Sequence, residues 1–372
     1  MRSTLISAAI LPLLMLAACG DNDTNNEAPV AAPTQSSGAD SMASNDAVPA
    51  DPAEATILDT ETRSLMQMQV VLERLGFGPG VIDGKQGLSL ANALGGFQEA
   101  HDLPVTGALD DATRQALAQW NKIPATRLVT IPDAWGTATF TPVPEGAVQQ
   151  AEMTRLGYEN IAEALAERFH TTQEVLARLN PTSAPAGTAP RSAAFAAGQQ
   201  IRVPNVGADQ ITASEVDNAD WLDTLRSLGV GTDQPDAARI VVDKSDGWLK
   251  VYDDADKLVA MFTVTTGSGH DPLPLGDWGI NGVAYNPPFA YDPELFWDVP
   301  DSAEPQQLPP GPNGPVGVVW IDLTKEHYGI HGTPSPETIG RAQSHGCVRL
   351  TNWDAARLAE MVSGSTKVLF QE

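Results

Sequence analysis

The hydrophobic period of this chain changes at Arg239, and that change bounds what it can fold into. Before it, apolar residues recur three and four apart, as in Leu65, Met68, Leu72 and Leu75, then Leu90, Ala93, Leu94, Phe97 and Ala100. That spacing lines one face of a helix. After it, IVVDKSDGWLKVYD and KLVAMFTVTTG alternate around a Ser-Asp-Gly turn, the pattern of a strand hairpin. Shorter runs (WGINGVAY, GVVWIDL, YGIHGT, TKVLFQE) follow between Pro- and Gly-rich loops, with one helical pattern at WDAARLAEMV. One architecture cannot satisfy both periods. A chain of 372 residues is also long for a single core. The expectation is a multidomain protein: a small α-helical bundle, an α+β unit, and a mainly-β sandwich or barrel over residues 238–372.

The first residues contain no such module. Met1-Arg2 and the apolar run LISAAILPLLMLAAC read as an export signal, and no later stretch approaches 18 continuous apolar residues. Leu16-Ala17-Ala18-Cys19 resembles the lipobox of bacterial lipoproteins, which implies signal residues 1–19, a lipid on Cys19 and membrane attachment through that anchor alone. A conventional cleavage site beside an ordinary small residue is the competing reading. Gly20 in place of an aspartate points to the periplasmic face of the outer membrane. Residues 20–60 are acidic and rich in Ala, Pro, Ser and Asn, with no Lys or Arg before Arg63. Such a segment cannot bury a core and reads as a disordered spacer, with a root-mean-square reach of about 35 Å. The formal charge of -25 repels anionic polymers and argues against nucleic-acid binding.

LERLGFGPGVIDGKQG followed by FQEAHDLPVTGALDDATRQAL describes three short helices with tight turns over residues 61–121, the third capped near Asp110. This order resembles the peptidoglycan-binding type 1 domain, and implies peptidoglycan as partner. A structural bundle without ligand is the alternative. Gly95 and Gly96 depart from the pattern, and at about 1 kcal/mol each against Ala they predict a weak second helix. Over residues 147–206, YENIAEALAERFHTTQEVLARLNP and AAGQQIRVPN resemble a degenerate LysM-like unit that lacks its opening strand; His170 there reads as a surface or packing histidine. Residues 207–236 read as an acidic connector with one short helix near Trp221 to Leu228.

The chemistry-bearing stretch is SHGCVRL, Ser344 to Leu350. Its Cys347 has no intramolecular partner once Cys19 is modified. A thiol of pKa about 8.5 is barely ionised at neutral pH and needs a base to act as a nucleophile. Two histidines are on offer, His331 in YGIHGT and His345. A residue on a neighbouring strand can meet the thiol side-on, which favours His331 as base and leaves His345, with Ser344, to shape the pocket. Gly332 and Gly346 let backbone approach a reacting carbonyl, and N–H groups around Gly346 and Cys347 can bind an oxyanion. Arg349 alternates onto the side of Cys347 and offers a fork for a substrate carboxylate. Against this stand a small buried cysteine with no chemistry and a zinc site on His331, His345 and Cys347, for which no fourth ligand is evident. No metal or cofactor is expected.

IHGTPSPETIGRAQSHGCVRL resembles the signature of the YkuD family of L,D-transpeptidases, with KLVAMFTVTTG and LPLGDWGI as supporting stretches. The resemblance implies a β-sandwich domain in which Cys347 attacks a peptidoglycan tetrapeptide stem and expels D-alanine, after which an amine of a second stem resolves the thioester into a cross-link. It further implies His331 as base, the Gly332 carbonyl steadying it, His345, Gly346 and Arg349 lining the site, and covalent inhibition by carbapenems. The insert over residues 286–315 departs from the family, and Tyr285, Tyr291, Phe296 and Trp297 offer a lid, a sugar-contacting wall or plain loop packing. Water or an envelope protein as acceptor, a non-catalytic wall-binding scaffold, and a redox-sensing thiol are the rival readings.

Overall fold

The computed structural model describes residues 63–181, 195–207, 211–295, 303–344 and 346–372. Cys19, the expected spacer, Phe296, Trp297 and His345 lie outside them.

Helices α1 (Ser64–Arg74), α2 (Leu88–Ala100) and α3 (Asp111–Leu117) form the expected bundle around Leu72, Phe77, Leu94 and Phe97. The Asp110 side chain caps α3 by accepting from the Thr113 amide. Helix α2 runs through both glycines, and Gly96 serves packing: a Cβ there would stand 3.0 Å from Met261 Cβ and 3.1 Å from the Phe77 ring, so the bare backbone lets α2 lie flat on the neighbouring sheet.

The second unit is larger than the sequence suggested. Strand β1 (Thr126–Thr130) precedes α4 (Asp133–Gly136), α5 (Ala147–Ala151), α6 (Ile161–Arg168), α7 (Gln173–Leu179) and β2 (Gln200–Pro204). β1 pairs antiparallel with β2, Thr126 opposite Pro204 and Thr130 opposite Gln200. The unit thus includes a strand upstream of residue 147, outside the bounds that the sequence suggested. α6 and α7 bury Leu165, Phe169 and Leu176 against Ile201 and Val203, and Asn160 and Thr172 cap their N-termini.

The expected connector is also part of a core. α8 (Ala219–Leu228) inserts Trp221, Leu225 and Leu228 into the core of the C-terminal sheet module, and the Trp221 indole donates to Glu360 at 2.7 Å.

Strands β3 (Arg239–Asp243), β4 (Trp248–Tyr252), β5 (Leu258–Thr263), β6 (Gly276–Tyr285), β7 (Phe289–Tyr291), β8 (Gln306–Leu308), β9 (Val319–Leu323), β10 (Gly329–His331) and β11 (Val348–Arg349) follow, then α9 (Asn352–Met361) and β12 (Lys367–Gln371). The expected sandwich is one curled sheet in the order β11-β10-β9-β6-β12-β3-β4-β5. Its halves share the long β6, which pairs with β12 through Gly276–Gly279 and with β9 beyond a register shift at Ile280 to Gly282. A bulge of that kind raises local twist and turns the sheet back on itself. α9 covers one face with Trp353, Leu358 and Met361.

β7 and β8 form a separate ribbon within the insert. That insert docks on the second unit, Leu156 donating its amide to Pro310 and accepting from the Asn313 amide, while Tyr285 packs on Trp221 with centroids 4.6 Å apart. The β5 edge is covered by the helical bundle: the Gly78 amide donates to Met261 at 2.7 Å and the Met261 amide to Gly76 at 2.9 Å. Covering removes an unpaired edge that would otherwise invite association.

Candidate active site

β10 and β11 run parallel at the end of the sheet, Ile330 opposite Val348 and His331 opposite Arg349. Cys347 immediately precedes β11, and its Sγ lies 3.9 Å from the His327 carbonyl oxygen, just before the start of β10. His331 is buried, and its Nδ1 lies 2.7 Å from the Gly332 carbonyl oxygen. A carbonyl only accepts, so Nδ1 carries the proton and Nε2 keeps its lone pair. Burial, followed by the nearby Arg349 charge, lowers the imidazole to about 3 against the upward pull of the Gly332 carbonyl. It is thus a neutral base at physiological pH.

The Cys347 thiol is half-buried. Burial pushes it up, while a backbone hydrogen bond from Gly329 and the Arg349 charge pull it down without cancelling the rise. The resting pair is therefore neutral thiol and neutral imidazole, and attack on a carbonyl requires proton transfer to a base. Gly346 has φ +107°, in the region that favours glycine, and a Cβ there would stand 2.7 Å from the Tyr328 ring. Arg349 exchanges backbone hydrogen bonds with Thr265 and leaves a buried Nε without a hydrogen-bond partner. Among the described residues it has no carboxylate partner either, which leaves its fork open to an anionic ligand. A cavity of about 400 Å³ opens along Thr265, Gly267, Ser268 and Gln343, beside the Ser344 end of the loop that carries Cys347.

The Ser344 hydroxyl donates to the Cys347 carbonyl and its amide to the Thr266 carbonyl, so it holds the shape of the loop before Cys347. Trp320 was not anticipated. It sits opposite His331 on β9 and stacks on the imidazole with centroids 5.5 Å apart, while its indole donates to Asp322. The indication lay in GVVWIDL, where one aromatic interrupts an apolar strand beside YGIHGT.

A second cluster lies under the start of α9. His170 is not a surface histidine: it is 2 % exposed, stacks on Trp353, and faces Glu73 Oε2 at 3.3 Å and Asp354 Oδ2 at 3.7 Å. Burial opposes its charge, yet Asp354 and Glu73 outweigh it and raise the imidazole above its ordinary value. Glu73 also accepts from Arg357 at 2.8 Å and from the Trp353 indole at 3.2 Å. Glu73, His170 and Asp354 are close enough to share a metal ion. The imidazolium and guanidinium already balance the two carboxylates, so the group reads as an ion network joining the bundle, the second unit and the catalytic module.

Residues 237–369 match the model of the YkuD family, the L,D-transpeptidase catalytic domain, and residues 61–117 that of a peptidoglycan binding domain. The last 130 or so residues are an L,D-transpeptidase domain. A protein of Bacillus licheniformis carrying the name L,D-transpeptidase YkuD is 28% identical over 208 residues, 55% of this chain and 90% of that one. Its Bacillus subtilis namesake is 51% identical over 57 residues, 15% of this chain and 35% of the relative. Among solved structures, an L,D-transpeptidase of Mycobacterium smegmatis is 24% identical with a TM-score of 0.30, over 36% of this chain and 58% of that one. The chain thus spans less than two thirds of that mycobacterial protein. One from Xylanimonas cellulosilytica is 13% identical with a TM-score of 0.33, over 82% of this chain and 92% of that one. The L,D-transpeptidase domain contains Cys347, His331 and Arg349, and the adjoining peptidoglycan-binding domain contains the bundle.

Proposed function

We propose that this protein is a cysteine-dependent L,D-transpeptidase acting on peptidoglycan tetrapeptide stems. The observation that carries the reading is the Nδ1–H of His331 held by Gly332, which leaves Nε2 as a free base on the strand beside Cys347. Cys347 gives its proton to Nε2 as the sulfur adds to the carbonyl that precedes D-alanine. Backbone N–H groups near Gly346 and Cys347 bind the oxyanion. The tetrahedral adduct collapses to a thioester, and D-alanine leaves as an amine that takes the proton from His331. An amine of a second stem then adds to the thioester, yields its proton to His331, and expels the thiolate, which is reprotonated as the amide cross-link forms. Arg349 suits a stem carboxylate. The pairing of β1 with β2 around α6 and α7, with the short α4 and α5 between β1 and α6, supports the LysM-like reading of that unit, as a second contact with the wall.

Incubation of the purified protein with tetrapeptide muropeptides, followed by mass spectrometry, tests the reaction. Loss of D-alanine together with a cross-linked dimer is expected; D-alanine loss with only the free tripeptide acid would make it a carboxypeptidase, and no D-alanine loss would overturn the reading.

Membrane tethering through Cys19 completes the proposal, supported by the lipobox and the long acidic spacer. An anionic chain gains nothing from charge at an anionic wall, so anchor and binding domain supply the local concentration. Cys19→Ala is expected to appear in the soluble periplasmic fraction, active on muropeptides and less efficient on sacculi. A wild-type protein found soluble, without lipid on its N-terminal peptide, would remove the anchor from this account.

A further inference from the structure

The N-cap and the first residue of α9, Thr351 and Asn352, lie only four and five positions after Cys347, and both are held from the second unit. His170 Nε2 lies 3.1 Å from the Thr351 hydroxyl, whose proton goes to Asp354 Oδ2 at 2.9 Å, so the hydroxyl accepts from the imidazole. The neighbouring Asn352 is 1% exposed. Its orientation follows from its partners: the Val318 amide can only donate, so it meets Oδ1 at 3.2 Å, and the Pro312 carbonyl can only accept, so it meets Nδ2 at 3.1 Å. Nδ2 also donates to both carboxylate oxygens of Glu167, at 3.0 and 3.2 Å. Glu167 belongs to α6 and is held in turn by the Tyr158 hydroxyl at 3.0 Å.

Asn352 bears directly on the seat of the base. A Cβ placed on Gly332 would stand 2.2 Å from Asn352 Oδ1, so the side-chain amide occupies the space that a larger residue would need at Gly332. The Gly332 carbonyl is the group that fixes the His331 tautomer. If Asn352 loses Glu167, its amide keeps only the Val318 and Pro312 bonds, and the side chain beside the Gly332 backbone is held less firmly. We propose that Glu167 is a positioning residue for the reaction, acting through Asn352 on Gly332, so that docking of the second unit aims Nε2 of His331 at the thiol. Burial pushes the Glu167 carboxyl up to about 7 despite the hydrogen bonds from Asn352 and Tyr158 that pull it down. The second unit is then a part of the catalytic apparatus as well as a candidate wall-binding module.

This inference rests on the proposed reaction for its kinetic readout alone, and the His331 ring signal is independent of it. The experiment uses the full chain with 15N-labelled histidine. The variants are Glu167→Ala, Glu167→Gln, Glu167→Asp, and Glu163→Ala, which removes a different tie between the same two units, Asn313 Nδ2 to Glu163 at 2.6 Å. Wild type is expected to show one His331 tautomer, protonated on Nδ1. Glu167→Ala is expected to give a mixture of tautomers and to lower kcat about tenfold with KM within about twofold. Glu167→Gln, whose carbonyl still accepts from Asn352, is expected to restore the single tautomer and most of kcat. Should Glu167→Ala fail to fold, Glu167→Asp, one methylene too short to reach, is expected to show the same tautomer mixing in weaker form. Glu163→Ala is expected to lower the melting temperature without moving the ring signal. An unchanged His331 signal in Glu167→Ala and Glu167→Asp, or the same change in Glu163→Ala, would overturn the proposal. Absence of D-alanine release by wild type, with the ring signals behaving as described, would instead overturn only the reaction.

Discussion

The imidazole of His331 donates from Nδ1 to the carbonyl of Gly332, the next residue, at 2.7 Å, and this bond fixes which nitrogen can act as a base. Because burial and Arg349 hold that ring near 3 and burial holds the Cys347 thiol above its ordinary value, the two do not form a thiolate–imidazolium pair at rest. Alkylation of Cys347 by iodoacetamide is therefore expected to rise steadily through the neutral range toward an inflection above about 8.5, with no step between about pH 5 and 8. A plateau of fast alkylation extending down to acid pH would contradict the neutral pair. For stability the sign is the reverse of the usual carboxylate case in cause and the same in direction. A histidine depressed in the native state loses stability as pH falls below its unfolded value near 6.5 and toward about 3, since only the unfolded chain takes up the proton. His331→Gln is expected to flatten that acid limb in a denaturant series.

Cys347 is the group on which the proposed chemistry depends. Cys347→Ala and Cys347→Ser are expected to abolish D-alanine release while leaving the unfolding transition within about 1 kcal/mol of wild type, because a half-buried thiol contributes little packing. Imipenem is expected to add one adduct mass to wild type and none to Cys347→Ala. Turnover by Cys347→Ala at more than about a hundredth of wild type would assign the chemistry elsewhere.

Removal of His170 leaves Glu73 and Asp354 buried with Arg357 as the remaining cation. Breaking a buried charge network by deleting one member costs roughly 3–5 kcal/mol, so His170→Gln is expected to lower stability by about that amount and to speed proteolysis between the modules. Its native imidazole is raised, so its contribution is complete below about 6.5 and fades as pH rises through the higher native value. The difference between wild type and His170→Gln in urea unfolding should accordingly shrink on going from about pH 6 to about pH 9. A difference that stays constant would mean that His170 acts through packing on Trp353 and not through its charge.

The paired glycines of α2 separate propensity from packing. A Cβ on Gly95 meets only Val105 Cγ1, at an ordinary 3.6 Å, so Gly95→Ala is expected to stabilise the chain by about 0.5–1 kcal/mol. On Gly96 the same methyl meets Met261 and Phe77 at 3.0 and 3.1 Å, and overpacking of about 1–3 kcal/mol offsets or exceeds the gain. Thermal melts of the two variants check this; equal stabilisation by both would show that the bundle is not seated tightly on β5.

The features legible in the order of residues are the local ones. The change of hydrophobic period at Arg239 separates helical modules from the sheet, Asp110 predicts the α3 cap it makes, and SHGCVRL with YGIHGT names Cys347 and His331. These features depend on side-chain type and spacing within one element or turn, and such information survives in the order of residues. The tertiary structure decided whatever couples distant segments. Trp320 meets His331 only through the register of β9 on β10, and Asn352 meets Glu167 across 185 positions. His170, flanked by Phe169 and Thr171, reads locally as a packing or surface residue, and only the meeting of α1, the second unit and α9 makes it a buried cation. Periodicity specifies which face of an element is apolar. Which polar residue of another element lies against that face is set by how the modules pack, because the energy of a buried charge or amide is defined by the partner it finds there.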